Sequence, residues 1–226
     1  MATIRLTKED SLIMAKAAVA EGITKIVATP HHKNGYFENY KKGIEGQVKE
    51  LNRLFQEHDI ALEVLPGQEV RTHEKLLKDL DKDEILTINR TRYLLLELPF
   101  YTIPEYTLQM IEQLNERGIV PIIAHPERQR TIREDIELIR PFVEKGALTQ
   151  ITAGSLIGEF GEEAEQFSHE LIKHQLGHII ATDAHDVGRR GFVMNEALQV
   201  VKEHYGNEQY EVFISNNKKI IKDKVI

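Results

Sequence analysis

The feature that most constrains the fold is a unit that recurs four times along the chain. In each copy a glycine ends a helical pattern, and a run of β-branched and apolar residues follows directly. Glycine fits the left-handed conformation that closes a helix, and β-branched runs favour strands. The copies are Gly22 with 23–29, Gly118 with 120–124, Gly146 with 147–152, and Gly177 with 178–182. This alternation predicts an α/β fold with parallel strands.

The second of these four strand-like runs, at 120–124, has an unusual ending. Val120, Ile122 and Ile123 are apolar at nearly successive positions, which is typical of a strand covered on both faces. An imidazole, a carboxylate and a guanidinium follow in the sequence HPER at 125–128. Polar groups at the end of a buried strand need partners. The segment therefore predicts a reaction site.

Composition limits the class of protein. The 226 residues, 41% of them hydrophobic, can bury one core, so we expect a single domain over 1–226. The absence of cysteine excludes disulfides and thiolate metal sites and favours a cytoplasmic location. The longest apolar runs are too short to cross a bilayer, so no membrane insertion is expected. A net charge of −7 argues against a nucleic-acid partner.

Seven strands are predicted to alternate with helices. The expected strands cover 2–7, 24–29, 62–65, 93–98, 120–124, 147–152 and 179–182. Helical patterns cover 7–22, 39–58, 104–118, 131–146, 162–175 and 193–204, with the fourth expected to begin at Thr131. Leu76, Leu77 and Leu80 are assigned to an irregular region. The residues from Asn216 onward are assigned to a mixed polar tail.

Polar side chains collect after the predicted strands rather than before them. In a (β/α) barrel the side chains at the carboxyl ends of the strands converge on one mouth. A doubly wound sheet would gather them only near its switch point, so the barrel explains more of the pattern. The candidate metal ligands are His31, Glu69, Glu97, His125, Asp183 and His185.

Three histidines and three carboxylates without cysteine suit manganese, iron or zinc. Two ions sharing a carboxylate would generate hydroxide at neutral pH for attack on phosphorus, so phosphoester hydrolysis is the expected reaction. Arg128 and Arg190 are the candidate catalytic residues, because a guanidinium grips phosphate oxygens with two parallel hydrogen bonds.

Five ordered motifs resemble those of a known family: ATPHHKNG at 28–35, PGQE at 66–69, LELPF at 96–100, IAHPER at 123–128 and ATDAH at 181–185. They are similar to the motifs of the PHP (polymerase and histidinol phosphatase) superfamily, and most similar to those of its manganese-dependent bacterial protein-tyrosine phosphatases encoded with capsular and exopolysaccharide genes. The resemblance implies a distorted (β/α)7 barrel holding up to three metal ions. It also implies a substrate, phosphotyrosine on the C-terminal tail of a partner bacterial tyrosine kinase.

The first strand departs from this family pattern. Family members carry a His-x-His metal pair there and an aspartate in the next loop, whereas Arg5 and Thr7 stand at the matching positions of this chain. The resemblance then implies that the first ion loses two ligands and the third ion one. The site of the second ion, built from Glu69, Glu97 and His125, is left largely intact. We therefore expect fewer than three ions and slow hydrolysis of phosphotyrosine.

Two other functions remain open from the residues alone. A different PHP phosphomonoesterase, such as a histidinol phosphatase, would use the same metals on a small substrate. A chain with an altered first strand would alternatively serve as a non-catalytic module that binds phosphotyrosine. Metal content separates this last possibility from an enzyme.

Overall fold

The computed structural model describes residues 7–226. The strand predicted at 2–7, including Arg5, lies outside the described residues except for Thr7. Thr7 is the N-cap of the first helix: its hydroxyl oxygen accepts from the Asp10 amide at 3.1 Å, and Asp10 accepts from the Thr7 amide at 2.8 Å. This reciprocal capping confirms the predicted helix start.

The described residues form eight strands, all paired in parallel. Six of them make one sheet in the order β2-β4-β5-β6-β7-β8, and β1 pairs with β3. The strands are β1 (Lys25–Ala28), β2 (His31–His32), β3 (Glu63–Pro66), β4 (Glu69–Arg71), β5 (Tyr93–Glu97), β6 (Val120–Ala124), β7 (Leu148–Thr152) and β8 (Ile179–Ala181).

Two of the predicted strands, at 24–29 and 62–65, are each followed by a further short strand that the sequence did not predict, β2 after β1 and β4 after β3. The β1–β3 pair and the β2–β4 pair keep the same register, with Ala28 opposite Pro66 and His31 opposite Glu69. Pro30 has no amide hydrogen for a ladder, and it lies at the interruption. Gly67 stands between β3 and β4, where an added Cβ would come within 2.6 Å of Val27 Cγ1, so the close approach of the two chains here requires glycine.

A mixed α/β fold with parallel sheets is confirmed. Among the described strands, no pairing joins β8 to β2, so the closed seven-stranded barrel stays a prediction. The helices are α1 (Lys8–Ala20), α2 (Lys41–Glu57), α3 (Leu76–Asp81), α4 (Thr107–Glu116), α5 (Arg130–Glu134), α6 (Arg140–Glu144), α7 (Ala153–Leu156), α8 (Glu162–Lys173) and α9 (Met194–Ile220).

Three helix predictions need correction. Helix α3 occupies the region that was expected to be irregular, because Leu76 is fully buried and draws this turn onto the core. The helix expected over 131–146 is divided into α5, a 3-10 turn and α6, since Asp135 is extended with φ of −153°. Its N-cap is Gln129, whose side chain accepts from the Ile132 amide at 2.6 Å, and not Thr131.

The last helix is longer than its sequence pattern indicated. Helix α9 continues past residue 204 to Ile220, and Gly206 forms a kink within it at φ of 85°. The backbone leaves the helical conformation at Gly206, so the helix predicted over 193–204 ends close to its expected end, and a second helical stretch continues to Ile220. Residues 216–220, which were assigned to a polar tail, belong to this second stretch, where Asn216 and Ile220 are buried.

The central strands are covered on both faces. Leu94, Leu96 and Ile123 pack into the largest hydrophobic cluster, whereas Leu95 and Ile122 face a second cluster. Because side chains alternate along a strand, this pattern buries both sides of β5 and β6. In the described part of the chain, no helix is long and apolar enough to cross a membrane.

Candidate metal centre

Three donor side chains meet at one end of the sheet. His31 lies opposite Glu69 in the β2–β4 ladder, and Glu97 is the last residue of β5. His31 Nδ1 is 3.6 Å from Glu69 Oε1 and 3.6 Å from Glu97 Oε2. One ligand atom from each of the three lies within 4.8 Å of the others. Parallel strands end at the same edge, and this brings the three donors together.

The donor set fits a divalent metal ion. His31 Nδ1 is buried and has no hydrogen-bond partner among the described residues. Two ligands that each lie about 2.1 Å from one ion are about 3 Å apart, so the observed separations are close to those of a bound site. An imidazole and two carboxylates suit manganese, iron or zinc.

The charged states of this group are coupled. The contact with Glu97 raises the pKa of His31, against the opposing effect of burial. Burial raises the pKa of Glu97, but the contacts with His31 and Arg71 outweigh it and lower the pKa to about 2. Glu97 is therefore ionised at neutral pH. Because its pKa is raised, the His31 imidazole holds a proton more strongly than a free imidazole does. A bound metal ion would replace this proton.

His125 joins the group through Glu69. Its Nε2 is 3.0 Å from Glu69 Oε1, and burial alone would lower its pKa, but Glu69 outweighs burial and raises it. The backbone of His125 is left-handed, with φ of 34° and ψ of 55°. This turn at the end of β6 leaves the imidazole facing Glu69 on β4, which lies two strands away in the sheet. The predicted ligands His31, Glu69, Glu97 and His125 thus form one cluster.

Asp183 and His185 lie beside this cluster, and two arginines bind the carboxylate of Asp183. Arg128 Nη1 donates to Asp183 Oδ2 at 2.5 Å, and Arg190 Nη2 donates to the same oxygen. Burial raises the pKa of Asp183, but the positive charges of His125 and the two arginines outweigh it and lower the pKa.

The His185 ring is tilted against the ring of His31, with centroids 6.4 Å apart. His185 Nδ1 lies 2.8 Å from the backbone oxygen of Asp183, so the turn after β8 orients the ring. The six predicted ligands and both predicted arginines therefore lie at one end of the sheet, as two adjacent groups linked by His31 and His185.

Arg71 and Phe160 near the site were not predicted from the sequence, and Glu127 was noted only as the carboxylate of the HPER segment. Arg71 Nε donates to Glu97 Oε2 at 3.0 Å, and its position two residues after Glu69 on one strand was an available signal, since such residues share a face. Glu127 is fully buried and accepts from Ser155 Oγ at 2.8 Å. Phe160 lies against both arginines, and no sequence pattern indicated it.

Residues 7–222 match the model of a family described as capsular polysaccharide synthesis, CpsB/CapC. This chain belongs to the CpsB/CapC family. The match covers both groups of the candidate site and all the described strands and helices up to the end of α9.

Members of the CpsB/CapC family are similar along nearly the whole chain. Tyrosine-protein phosphatase YwqE of Bacillus subtilis (strain 168) is 42% identical over 217 residues, which are 96% of this chain and 85% of YwqE. Tyrosine-protein phosphatase CpsB of Streptococcus pneumoniae is 26% identical over 226 residues, covering 97% of this chain and 93% of CpsB.

A solved structure in the CpsB/CapC family has the same fold. It comes from a study of YwqE from Bacillus subtilis and CpsB from Streptococcus pneumoniae, described as unique metal-dependent tyrosine phosphatases. The TM-score is 0.94 at 42% identity, over 97% of this chain and 89% of that one.

Proposed function

We propose that this chain is a metal-dependent protein-tyrosine phosphatase that hydrolyses the phosphate ester of phosphotyrosine. The observation that carries the proposal is the meeting of His31, Glu69 and Glu97, with an unpartnered buried imidazole nitrogen, beside two arginines. Membership of the CpsB/CapC family, whose members YwqE and CpsB are named tyrosine-protein phosphatases, supports it.

The cluster is proposed to hold Mn²⁺, with iron or zinc as other ions of suitable chemistry. His31, Glu69, Glu97 and His125 are the proposed ligands, with Asp183 and His185 completing the set. When bound, a divalent ion supplies Lewis acidity, which polarises a phosphoryl oxygen and lowers the pKa of water.

Arg128 and Arg190 are proposed to bind the phosphate oxygens. Both guanidinium groups already donate to the carboxylate of Asp183, an oxyanion smaller than phosphate. Arg190 Nε is buried and has no acceptor among the described residues, so a further donor is available for a ligand oxygen. Because a guanidinium has five N–H donors in one plane, both can hold a phosphate with two hydrogen bonds each.

The finer identity follows the same proposal. We place the chain in the PHP superfamily, as one domain over 1–226 with a distorted (β/α)7 barrel. The proposed substrate is phosphotyrosine on the tail of a partner bacterial tyrosine kinase. Its hydrolysis in the cytoplasm is proposed to regulate capsule or exopolysaccharide synthesis. Arg5 and Thr7 stand in the sequence where a His-x-His pair is expected. Fewer than three ions are therefore proposed for this chain.

The test is phosphate release from a phosphotyrosyl peptide by metal-free protein before and after addition of Mn²⁺. We expect turnover only with metal, its loss on addition of EDTA, and a preference for the peptide over histidinol phosphate. Glu97→Gln, which removes a charged donor, is the inactive control. A preference for histidinol phosphate would indicate a small-molecule phosphatase, and peptide binding without turnover in the Mn²⁺-loaded protein would indicate a binding module.

A further inference from the structure

Phe160 is the common neighbour of the two arginines at the site. The guanidinium carbon of Arg128 is 4.6 Å from the centre of the Phe160 ring, and that of Arg190 is 5.7 Å away. Both distances are within the range at which an aromatic face attracts a cation. Phe160 lies outside the five sequence motifs and touches no proposed metal ligand through these contacts.

The loop that carries Phe160 is held close to the end of β7. Gly158 and Gly161 adopt positive φ on either side of it, and the Glu159 amide donates to the oxygen of Gly154 at 2.9 Å. A Cβ added to Gly154 would lie 3.1 Å from Phe160 Cε2, so the ring packs closely over this glycine. The position of the ring is therefore set by the fold, because the loop turns tightly against α7.

The arginines need an anchor other than Asp183. Both donate to one oxygen, Asp183 Oδ2, and two like charges this close repel each other. A phosphate ion competes with Asp183 for the same N–H groups. Once these hydrogen bonds are exchanged, a long side chain without a second contact would regain its rotamer freedom and move into solvent. An aromatic face holds a guanidinium without consuming its N–H donors.

We propose that Phe160 is a positioning residue that keeps Arg128 and Arg190 at the site while their donors pass from Asp183 to a phosphate group. The inference rests on the proposed phosphatase function for its biological meaning. Its physical content concerns phosphate binding alone, which is measurable without turnover.

The test compares ring-bearing and ring-free side chains at position 160 in the Mn²⁺-loaded protein. The probe is inorganic phosphate, with affinity measured by isothermal titration calorimetry. We expect Phe160→Leu, which keeps an apolar side chain but has no aromatic face, to bind phosphate about tenfold more weakly than the wild type. Phe160→Tyr keeps the face and should stay within about twofold.

Two measurements separate positioning from a general loss of packing. Phe167→Leu removes the same ring from a buried site on α8, where the ring lies over neither guanidinium group, and should leave phosphate affinity unchanged. Bound Mn²⁺ should be equal in all variants. In turnover of a phosphotyrosyl peptide, Phe160→Leu should raise KM more than it lowers kcat, and Phe160→Tyr should restore KM.

Equal phosphate affinity in Phe160→Leu and the wild type would overturn the inference. The same conclusion would follow if Phe160→Tyr were as weak as Phe160→Leu. A wild-type protein that binds phosphate but does not hydrolyse phosphotyrosine would refute the proposed function, while the order of affinities would still decide the role of Phe160. A wild-type protein that binds no phosphate would overturn both.

Discussion

His125 adopts a left-handed backbone conformation, with φ of 34°, although it has a full side chain. A residue other than glycine in this region costs about 1–3 kcal/mol, and such residues persist where the surrounding structure holds them. The imidazole is buried, and its Nε2 lies 3.0 Å from Glu69. The strained turn therefore serves to face a donor atom toward a carboxylate, which is the arrangement that a metal ligand needs.

At this residue we predict that His125→Ala lowers bound Mn²⁺ while the chain stays folded. The imidazole is a proposed ligand at a strand end, where a change disturbs packing less than it does in the core. Metal per chain is measured by mass spectrometry after dialysis, and folding by circular dichroism. His174→Ala removes an imidazole from the exposed end of α8 and should retain the wild-type metal content. Equal metal content in the two variants would refute the ligand assignment.

Arg128 is predicted to need its planar guanidinium and not only its charge. Arg128→Lys keeps the charge but loses the paired donors, so phosphate binding should weaken by about 1.5–3 kcal/mol, or roughly 10- to 150-fold. The measurement is the inhibition constant of inorganic phosphate in peptide turnover. Arg130→Lys makes the same change at an exposed residue paired with Glu134 and should have no effect. Wild-type inhibition in Arg128→Lys would contradict the assigned role.

Among the elements, the 3-10 turn Pro126–Arg128 follows β6 in the chain and contacts the end of β7. Its middle residue, Glu127, is fully buried, and Oε1 accepts from the Thr152 amide at 3.0 Å and from Ser155 Oγ at 2.8 Å. Buried donors that lose their acceptor cost about 1–3 kcal/mol. The turn that carries Arg128 is thus fixed to the next strand by one carboxylate.

For this turn we predict that Glu127→Ala lowers the free energy of unfolding by about 2–3 kcal/mol, since two buried donors lose their acceptor. Glu127→Gln keeps an amide oxygen and should lose less. Urea denaturation gives the values, and peptide turnover should fall with Glu127→Ala because Arg128 adjoins the turn. Glu134→Ala, at an exposed side chain, should stay within about 0.5 kcal/mol of the wild type. A similarly small change in Glu127→Ala would show that the turn does not depend on this carboxylate.

Across the molecule, the charges at the site are compensated by protein groups. Glu97 pairs with Arg71, Asp183 with two arginines, and Glu69 with His125. Three buried carboxylates without such partners would repel one another strongly. Because the partners are present, the fold does not depend on an ion to neutralise the site. A bound ion should then stabilise the chain only by mass action.

The whole-molecule prediction is a metal-dependent rise in stability that grows with the logarithm of the free ion concentration above the dissociation constant. At a free Mn²⁺ concentration 100 times the dissociation constant, the free energy of unfolding should rise by about 2.7 kcal/mol, provided that the ion binds only the folded chain at one site. Urea denaturation at several Mn²⁺ concentrations measures the rise, and EDTA should reverse it. His125→Ala should show a much smaller rise. If Mn²⁺ leaves the stability of the wild type unchanged, the proposed centre does not bind it.

The sequence alone was sufficient for the α/β class, the positions of most elements and the strand-end location of the polar residues. These properties depend on periodicity, glycine at helix ends and β-branched runs, which act between near neighbours in the chain. The eight candidate site residues were identified for the same reason, since each lies near or after the carboxyl end of a predicted strand. The mixed α/β fold and the tyrosine phosphatase relatives confirmed the class and the kind of chemistry.

Only the tertiary structure decided which of these groups touch. Three features join residues 25 or more positions apart: the pairing of Arg128 with Asp183, the hydrogen bonds of buried Glu127, and the contact of Phe160 with both arginines. The pairing of Arg190 with Asp183 is the exception, because both lie in one loop. No local pattern encodes such contacts, because they depend on strand order, register and loop packing. The same reason explains why the helical stretch after Gly206 was not predicted: it is held by the burial of Phe213 and Ile220, which depends on tertiary packing.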